Sequence, residues 1–245
     1  MSSPRFLLVQ IRDTGGVRRE EVESFCRHGG LDQGQVEVLN VFDTPAFEPE
    51  VAAPFDGVLV GGASEASVLE PERYPFVRDI MRLLGGCVRR RQPVFASCFG
   101  FQVAVLGLGG HIQRDEADFE MGTIPLQLTP AAAADPLYGP VPDGFLAVSC
   151  HRERAVAAPE RCTVLAFSEA CVHSFRVDDA PFWAFQFHPE LDRQRFIERL
   201  GVFRSGYTDS DDHYERTVAR FHETPESNGL VRRFVQGVAS GTIGG

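Results

Sequence analysis

Cys98, His188 and Glu190 are the residues of this chain whose types and settings suit covalent chemistry. A thiolate attacks carbonyl carbon, an imidazole carries the proton, and a carboxylate bonded to one ring nitrogen fixes the tautomer of the imidazole. Cys98 sits in Arg91-Gln92-Pro93-Val94-Phe95-Ala96-Ser97-Cys98-Phe99-Gly100-Phe101-Gln102, which runs on to Gly110 and reads as a strand, a sharp turn and a helix. A nucleophile at such a turn is lifted above the sheet, and Ala96 and Gly100 let the backbone bend around it. The unpaired N–H groups at the start of the following helix favour an anion there. Taken alone, the same cysteine equally suits a buried small apolar position.

About ninety residues later, Phe182-Trp183-Ala184-Phe185-Gln186-Phe187 leads an apolar strand into His188-Pro189-Glu190. Side chains two apart in extended backbone share a side, so Glu190 can reach the ring of His188 while Pro189 stiffens the link. A His-Pro-Glu turn by itself is weak. With the cysteine turn at the carboxyl edge of the same sheet, it completes a nucleophile, a base and an orienting group.

The elements that must position these groups follow from periodicity. Phe6–Ile11, Val36–Phe42, Gly57–Val60 and Val94–Ser97 read as strands, with helices over Val17–His28 and Tyr74–Arg91. That βαβα rhythm predicts an α/β fold with a parallel sheet, whose ligands gather beyond the carboxyl ends of the strands. After Gly110 the strands Thr123–Leu128, Phe145–Ser149, Thr163–Phe167, Val172–Val177 and Phe182–Phe187 come without long helices, so part of the sheet is expected to be antiparallel. From Asp192 a helical pattern returns, with Phe196, Ile197, Leu200 and Phe203 on one face.

At 245 residues the chain can bury one substantial core. A formal net charge of -10 repels phosphate backbones and anionic lipid, which argues against nucleic acid or membrane as partner. The basic run Arg89-Arg90-Arg91 fits the end of a helix, where cations suit the dipole. The six cysteines form no CxxC pair, the seven histidines are scattered, and no HExxH occurs, so neither a metal nor a cofactor is expected. No leader or spanning segment is legible, and the expected setting is cytoplasmic.

Pro93–Gly110 together with Trp183–Glu190 resembles the class I glutamine amidotransferase family, especially stand-alone members similar to the amidotransferase part of GMP synthase. The family elbow is Gly-x-Cys-x-Gly followed by a variable residue and Gln; here Ala96 replaces the first Gly, and Phe101 stands where His or Met is common. Gln186-Phe187-His188-Pro189-Glu190 matches the second signature in full. The resemblance spans roughly residues 5–200 and implies a three-layer, flavodoxin-like fold: an open twisted mixed sheet with helices on both faces.

It further implies an oxyanion hole from the N–H groups of Gly62, in the turn Gly61-Gly62 after Val58-Leu59-Val60, and of Phe99. Without the Cys–His–Glu set, that glycine pair would be only a turn. Gln102, Glu120, Gly122, Ser149, Cys150 and His151 match segments bordering the family's substrate pocket, although His151 equally suits a surface position at a strand end. The implied activity is hydrolysis of a γ-glutamyl amide, glutamine to glutamate and ammonia, through a thioester on Cys98. No GxxxxGK[ST] loop or SGGxDS motif is present, so ammonia would pass to a separate synthetase partner. The alternatives are a self-sufficient γ-glutamyl peptidase or hydrolase, and a non-catalytic interaction module.

Residues 1–205 are expected to form this domain and 206–245 a helical extension packed on it. Asp209 or Ser210 can cap a first helix with Val218 and Phe221 inward; Thr224-Pro225-Glu226 can open a second, carrying Leu230, Val231 and Phe234. These helices either cover apolar surface or serve a partner or the mouth of the site.

Overall fold

The computed structural model describes residues 3–115, 119–204 and 210–244, without the side chain of His213. The proposed boundary at residues 205 and 206 and the capping role of Asp209 lie outside the described residues.

Five strands form the front half of the sheet: β1 (Phe6–Gln10), β2 (Val36–Asn40), β3 (Gly57–Val60), β4 (Val94–Ser97) and β11 (Phe182–Phe185), in the order β2-β1-β3-β4-β11 and all parallel. The sheet continues through β10 (Val172–Val177), β9 (Cys162–Phe167), β6 (Glu120–Leu128) and β7 (Phe145–His151), each antiparallel to its neighbour. Two short strands, β5 (Gln113–Arg114) and β8 (Glu153–Arg154), make a separate ladder. The mixed sheet expected from the change of pattern after Gly110 is therefore present, in nine strands.

Strands β1, β3, β4 and β11 are buried along their whole length, because helices cover both faces. On one face Leu7, Val9, Val58, Val60, Val94 and Ala96 meet α2 (Phe76–Arg90) and α3 (Phe99–Gly107). On the other, Phe6, Leu8, Leu59, Phe95, Trp183 and Phe185 meet α1 (Gly15–Gly29) and the C-terminal helix α6 (Pro225–Ser240). The two-residue period of a strand thus divides one apolar run between two cores. A third cluster joins α4 (Arg193–Val202), through Phe196 and Leu200, to Phe221 beyond α5 (Asp211–Ala219).

Boundaries shift where local hydrogen bonding overrides apolar content. Tyr74 and Pro75 precede α2, with Pro75 at its cap. β2 ends at Asn40, whose Oδ1 accepts the Phe42 N–H at 2.9 Å and turns the chain. β11 ends at Phe185 rather than Phe187, so Gln186 and Phe187 carry His188 clear of the ladder.

Leu230, Val231 and Phe234 of α6 are fully buried. The Phe234 ring lies 5.4 Å from that of Phe95 and 6.2 Å from those of Phe6 and Trp183. Truncation to Phe234→Ala is expected to cost about 3–5 kcal/mol of unfolding free energy, measured by urea denaturation. A change under about 1 kcal/mol would mean that α6 adds little to the core.

Candidate active site

The parallel pairing of β4 with β11 sets Ser97 opposite Phe185. One residue on, the Cys98 N–H donates to the Phe185 carbonyl at 2.7 Å, which ties the cysteine to the strand that leads to His188. Cys98 has φ 51° and ψ -100°, a region that L-residues seldom occupy and that costs on the order of 1–3 kcal/mol. Surrounding bonds hold it there: its carbonyl accepts from Gln102 N–H at 3.0 Å, and Gly100 N–H donates to Gly61 O at 3.2 Å. A Cβ on Gly100 would lie 2.9 Å from Val60 Cβ and 3.0 Å from Val60 O, so this turn accepts no side chain.

Past β11 the backbone is fastened to the antiparallel half. Gln186 N–H donates to His173 O and His188 N–H to Val148 O, each at 2.8 Å. His188 Nδ1 then lies 2.6 Å from Glu190 Oε1, with both side chains buried. Cys98 interacts with the same ring and raises its affinity for a proton. A single point, where a Cβ on Gly62 would stand, lies 2.7 Å from His188 Cε1 and 3.4 Å from Cys98 Cβ. Gly62 is therefore packed between the two, and Phe99 opens α3 with its N–H in the turn that lacks intrahelical acceptors.

Burial opposes charge on His188, but the carboxylate of Glu190, the sulfur of Cys98 and hydrogen bonds to both outweigh it and push the imidazole up to about 9. Burial likewise opposes the Glu190 carboxylate, yet the charge and hydrogen bond of His188 and the charge of Arg199 bring it down to about 2.

Two buried charges beside this set were not legible in the sequence. Arg12 Nε donates to Glu21 Oε1 at 2.9 Å, with both side chains shut from solvent, and Arg12 Nη1 reaches Ser64 Oγ at 3.3 Å. A Cβ on Gly61 would strike Glu21 Oε1 at 2.6 Å, and one on Gly62 would come within 3.1 Å of Arg12 Nη2. Glu21 at Gly61 and His188 at Gly62 explain why both turn positions are glycine. Arg12 carries its charge toward Cys98, and only the spatial adjacency of β1 and β3 brings it there.

Asn228 was also missed. From α6 its Nδ2 donates to Pro189 O and Leu191 O, each at 2.8 Å, clasping the backbone on either side of Glu190. Its place in an ordinary helical stretch gave no signal.

A cavity of about 230 Å³ opens beside Cys98. Gln102, Cys150 and His151 line it, as do Arg152 and Glu153. Gln102 Nε2 donates to Glu153 O at 2.9 Å, and Ser67 Oγ bonds Glu153 Oε1. Of the other residues matched to the family pocket, Ser149 is fully buried and paired in register with Gly122 (φ 137°), and neither lines the cavity. Glu120 faces two imidazoles, His151 and His173, rather than the cavity. Burial opposes its charge, but its contacts with the two rings hold the carboxyl well below the usual range.

A strand–cysteine–helix elbow with a His–Glu pair at the carboxyl edge of an open mixed sheet defines a cysteine hydrolase architecture. Residues 26–200 match the model of the family described as "Glutamine amidotransferase class-I", and the chain belongs to that family of enzymes. It is 26% identical over 151 residues to the glutamine-hydrolyzing GMP synthase of Thermotoga petrophila, covering 62% of this chain and 29% of that protein. The chain thus spans under a third of the length of the first GMP synthases that it matches. Gamma-glutamyl peptidase 3 of Arabidopsis thaliana is 25% identical over 175 residues, 69% of this chain and 68% of that one. In fold, a glutamine amidotransferase of Thermotoga maritima superposes with a TM-score of 0.75 at 18% identity, over 98% of this chain and 99% of that one. No helix among the described residues is long and apolar enough to cross a membrane.

The coupled pair sets the pH response. His188, raised from 6.5 to about 9, adds stability that is complete below pH 6.5 and lost as pH climbs through 9. Glu190, lowered from 4.5 to about 2, adds stability that is lost as pH falls from 4.5 through 2. In Glu190→Gln the His188 ring should titrate below 9, read by NMR of the ring carbons; an unchanged midpoint would mean that Glu190 does not act on it. Asn228→Leu should lose roughly 1–3 kcal/mol from the two orphaned carbonyls, measured by denaturation.

Proposed function

We propose that the chain hydrolyses a γ-glutamyl amide, glutamine first, with Cys98 as nucleophile, His188 as proton carrier and Glu190 as its orienting group. The observation that carries this reading is the strained Cys98 turn, bonded through one strand end to a buried His–Glu pair beside an open cavity.

The Cys98 thiolate adds to the γ-carbonyl carbon, and the N–H groups of Gly62 and Phe99 receive the oxyanion. Protonated His188 gives its proton to the amide nitrogen, the C–N bond breaks, and ammonia leaves a γ-glutamyl thioester. Water then attacks the thioester as His188 takes one of its protons. The second tetrahedral intermediate expels the thiolate and releases glutamate. With its midpoint near 9, His188 holds its proton at neutral pH, as the first step requires. The cavity residues Gln102, Cys150 and His151 border the substrate.

Ammonia would pass to a separate synthetase subunit. That reading is supported by the likeness to the glutamine-hydrolyzing GMP synthase subunit of Methanococcus aeolicus, 25% identical over 150 residues, 60% of this chain and 71% of that one. The coverage of 68% of gamma-glutamyl peptidase 3 favours a second reading, a self-sufficient peptidase. Six free cysteines accord with a reducing, cytoplasmic setting.

Purified protein assayed for glutamate release from glutamine and from γ-glutamyl dipeptides separates the two readings. Faster turnover of dipeptides would make it a peptidase, whereas low glutaminase activity that rises with a synthetase subunit would make it an amidotransferase component. Cys98→Ala should lower turnover by at least about 1,000-fold while the protein stays folded. For the wild type, kcat/KM should fall as pH passes about 9, and that limb should move to lower pH in Glu190→Gln. Full activity of Cys98→Ala would overturn the assignment.

A further inference from the structure

The scattered histidines of the sequence do not stay scattered. Glu120 and His151 stand opposite each other in the β6–β7 ladder, while Cys171 immediately precedes β10 and His173 lies near its start. A ligand atom from each of the four lies within 4.8 Å of every other. His151 Nε2 and His173 Nε2 are each 3.1 Å from Glu120 Oε2; Cys171 Sγ is 3.6 Å from the same oxygen and 3.4 Å from His173 Nε2.

Hydrogen bonding alone accounts poorly for this arrangement. Two ring nitrogens and a thiol converge on one carboxylate oxygen, more than its lone pairs serve well. Nδ1 of His151 and Nδ1 of His173 lack a hydrogen-bond partner, although His173 is fully buried and His151 nearly so. Such orphaned groups are costly in a core.

A tetrahedral ion answers both points. Bonds of roughly 2.0–2.3 Å to nitrogen, oxygen and sulfur set neighbouring ligand atoms about 3.3–3.8 Å apart, close to the four separations above. The two remaining separations, from His151 to Cys171 and to His173, lie within 4.8 Å. One thiolate and one carboxylate neutralise a divalent charge, which suits a buried position. Two imidazoles with a thiolate favour zinc over magnesium or calcium, which prefer oxygen alone.

We propose that Glu120, His151, Cys171 and His173 form a closed, four-coordinate zinc site that pins β6, β7 and the start of β10 together behind the cavity wall. On binding, Cys171 gives up its thiol proton to solvent as the sulfur–metal bond forms. With four protein ligands no position is left for substrate or water, so the role is structural. The ion would fix His151, which lines the cavity, and is separate from Cys98, His188 and Glu190.

The full chain, stripped with chelator and reloaded with zinc chloride, should hold one zinc per molecule by elemental analysis and native mass spectrometry. Zinc should raise its thermal midpoint. Cobalt chloride should give the visible bands of a tetrahedral site and a thiolate-to-metal charge-transfer band. Cys171→Ser should lose that charge-transfer band, His173→Gln should weaken zinc binding by roughly 100-fold or more, and Cys98→Ala should keep both metal and spectrum. The wild-type measurements stand even if a variant fails to fold. No zinc uptake by the wild type, uptake lost only in Cys98→Ala, or a cobalt spectrum without a thiolate band would overturn the proposal.

Discussion

A 2.7 Å hydrogen bond from the backbone of Cys98 to the carbonyl of Phe185 joins two parts of the chain that lie nearly ninety residues apart. It extends the β4–β11 pairing by one residue beyond the strand and arrives just as both chains leave the sheet. Parallel pairing makes this possible, because both strands end on the same edge. One chain turns sharply into a helix and the other bends toward the antiparallel half, so cysteine and histidine meet across the gap.

The surroundings of that meeting point are chosen for closeness. Gly61 and Gly62 let Glu21, Arg12, His188 and Cys98 crowd the same small volume, and Gly100 lets α3 begin directly over Val60. Charges alternate through it: Arg12 with Glu21, His188 with Glu190, and Arg199 with Glu20 at 2.6 Å. Each buried ion has an opposite neighbour, as burial demands. Glu190 and Cys98, set against desolvation, decide the protonation of His188.

Whatever chemistry depends on sequence neighbours was legible beforehand. The strand–turn–helix around Cys98 and the spacing of His188 and Glu190 are local patterns, and the apolar runs of β1, β3, β4 and β11 marked the parallel half because those four strands are buried on both faces. Long-range adjacency stayed hidden. Nothing in the local pattern singles out Arg12, Asn228, Cys171 or His173. Their partners come from other strands and helices, so no local period records them. The capping role of Asp209 and the boundary at residue 205 fall outside the described residues.

The clasp of Asn228 on the Pro189 and Leu191 carbonyls has a consequence for biosynthesis. A ribosome adding about 5–20 residues per second exposes the His-Pro-Glu segment seconds before the helix that secures it. The cysteine, imidazole and carboxylate are thus all translated before their framework is finished. The nascent polypeptide carries Cys98 in an unfastened state, and the arrangement of the three residues matures only once α6 has been made.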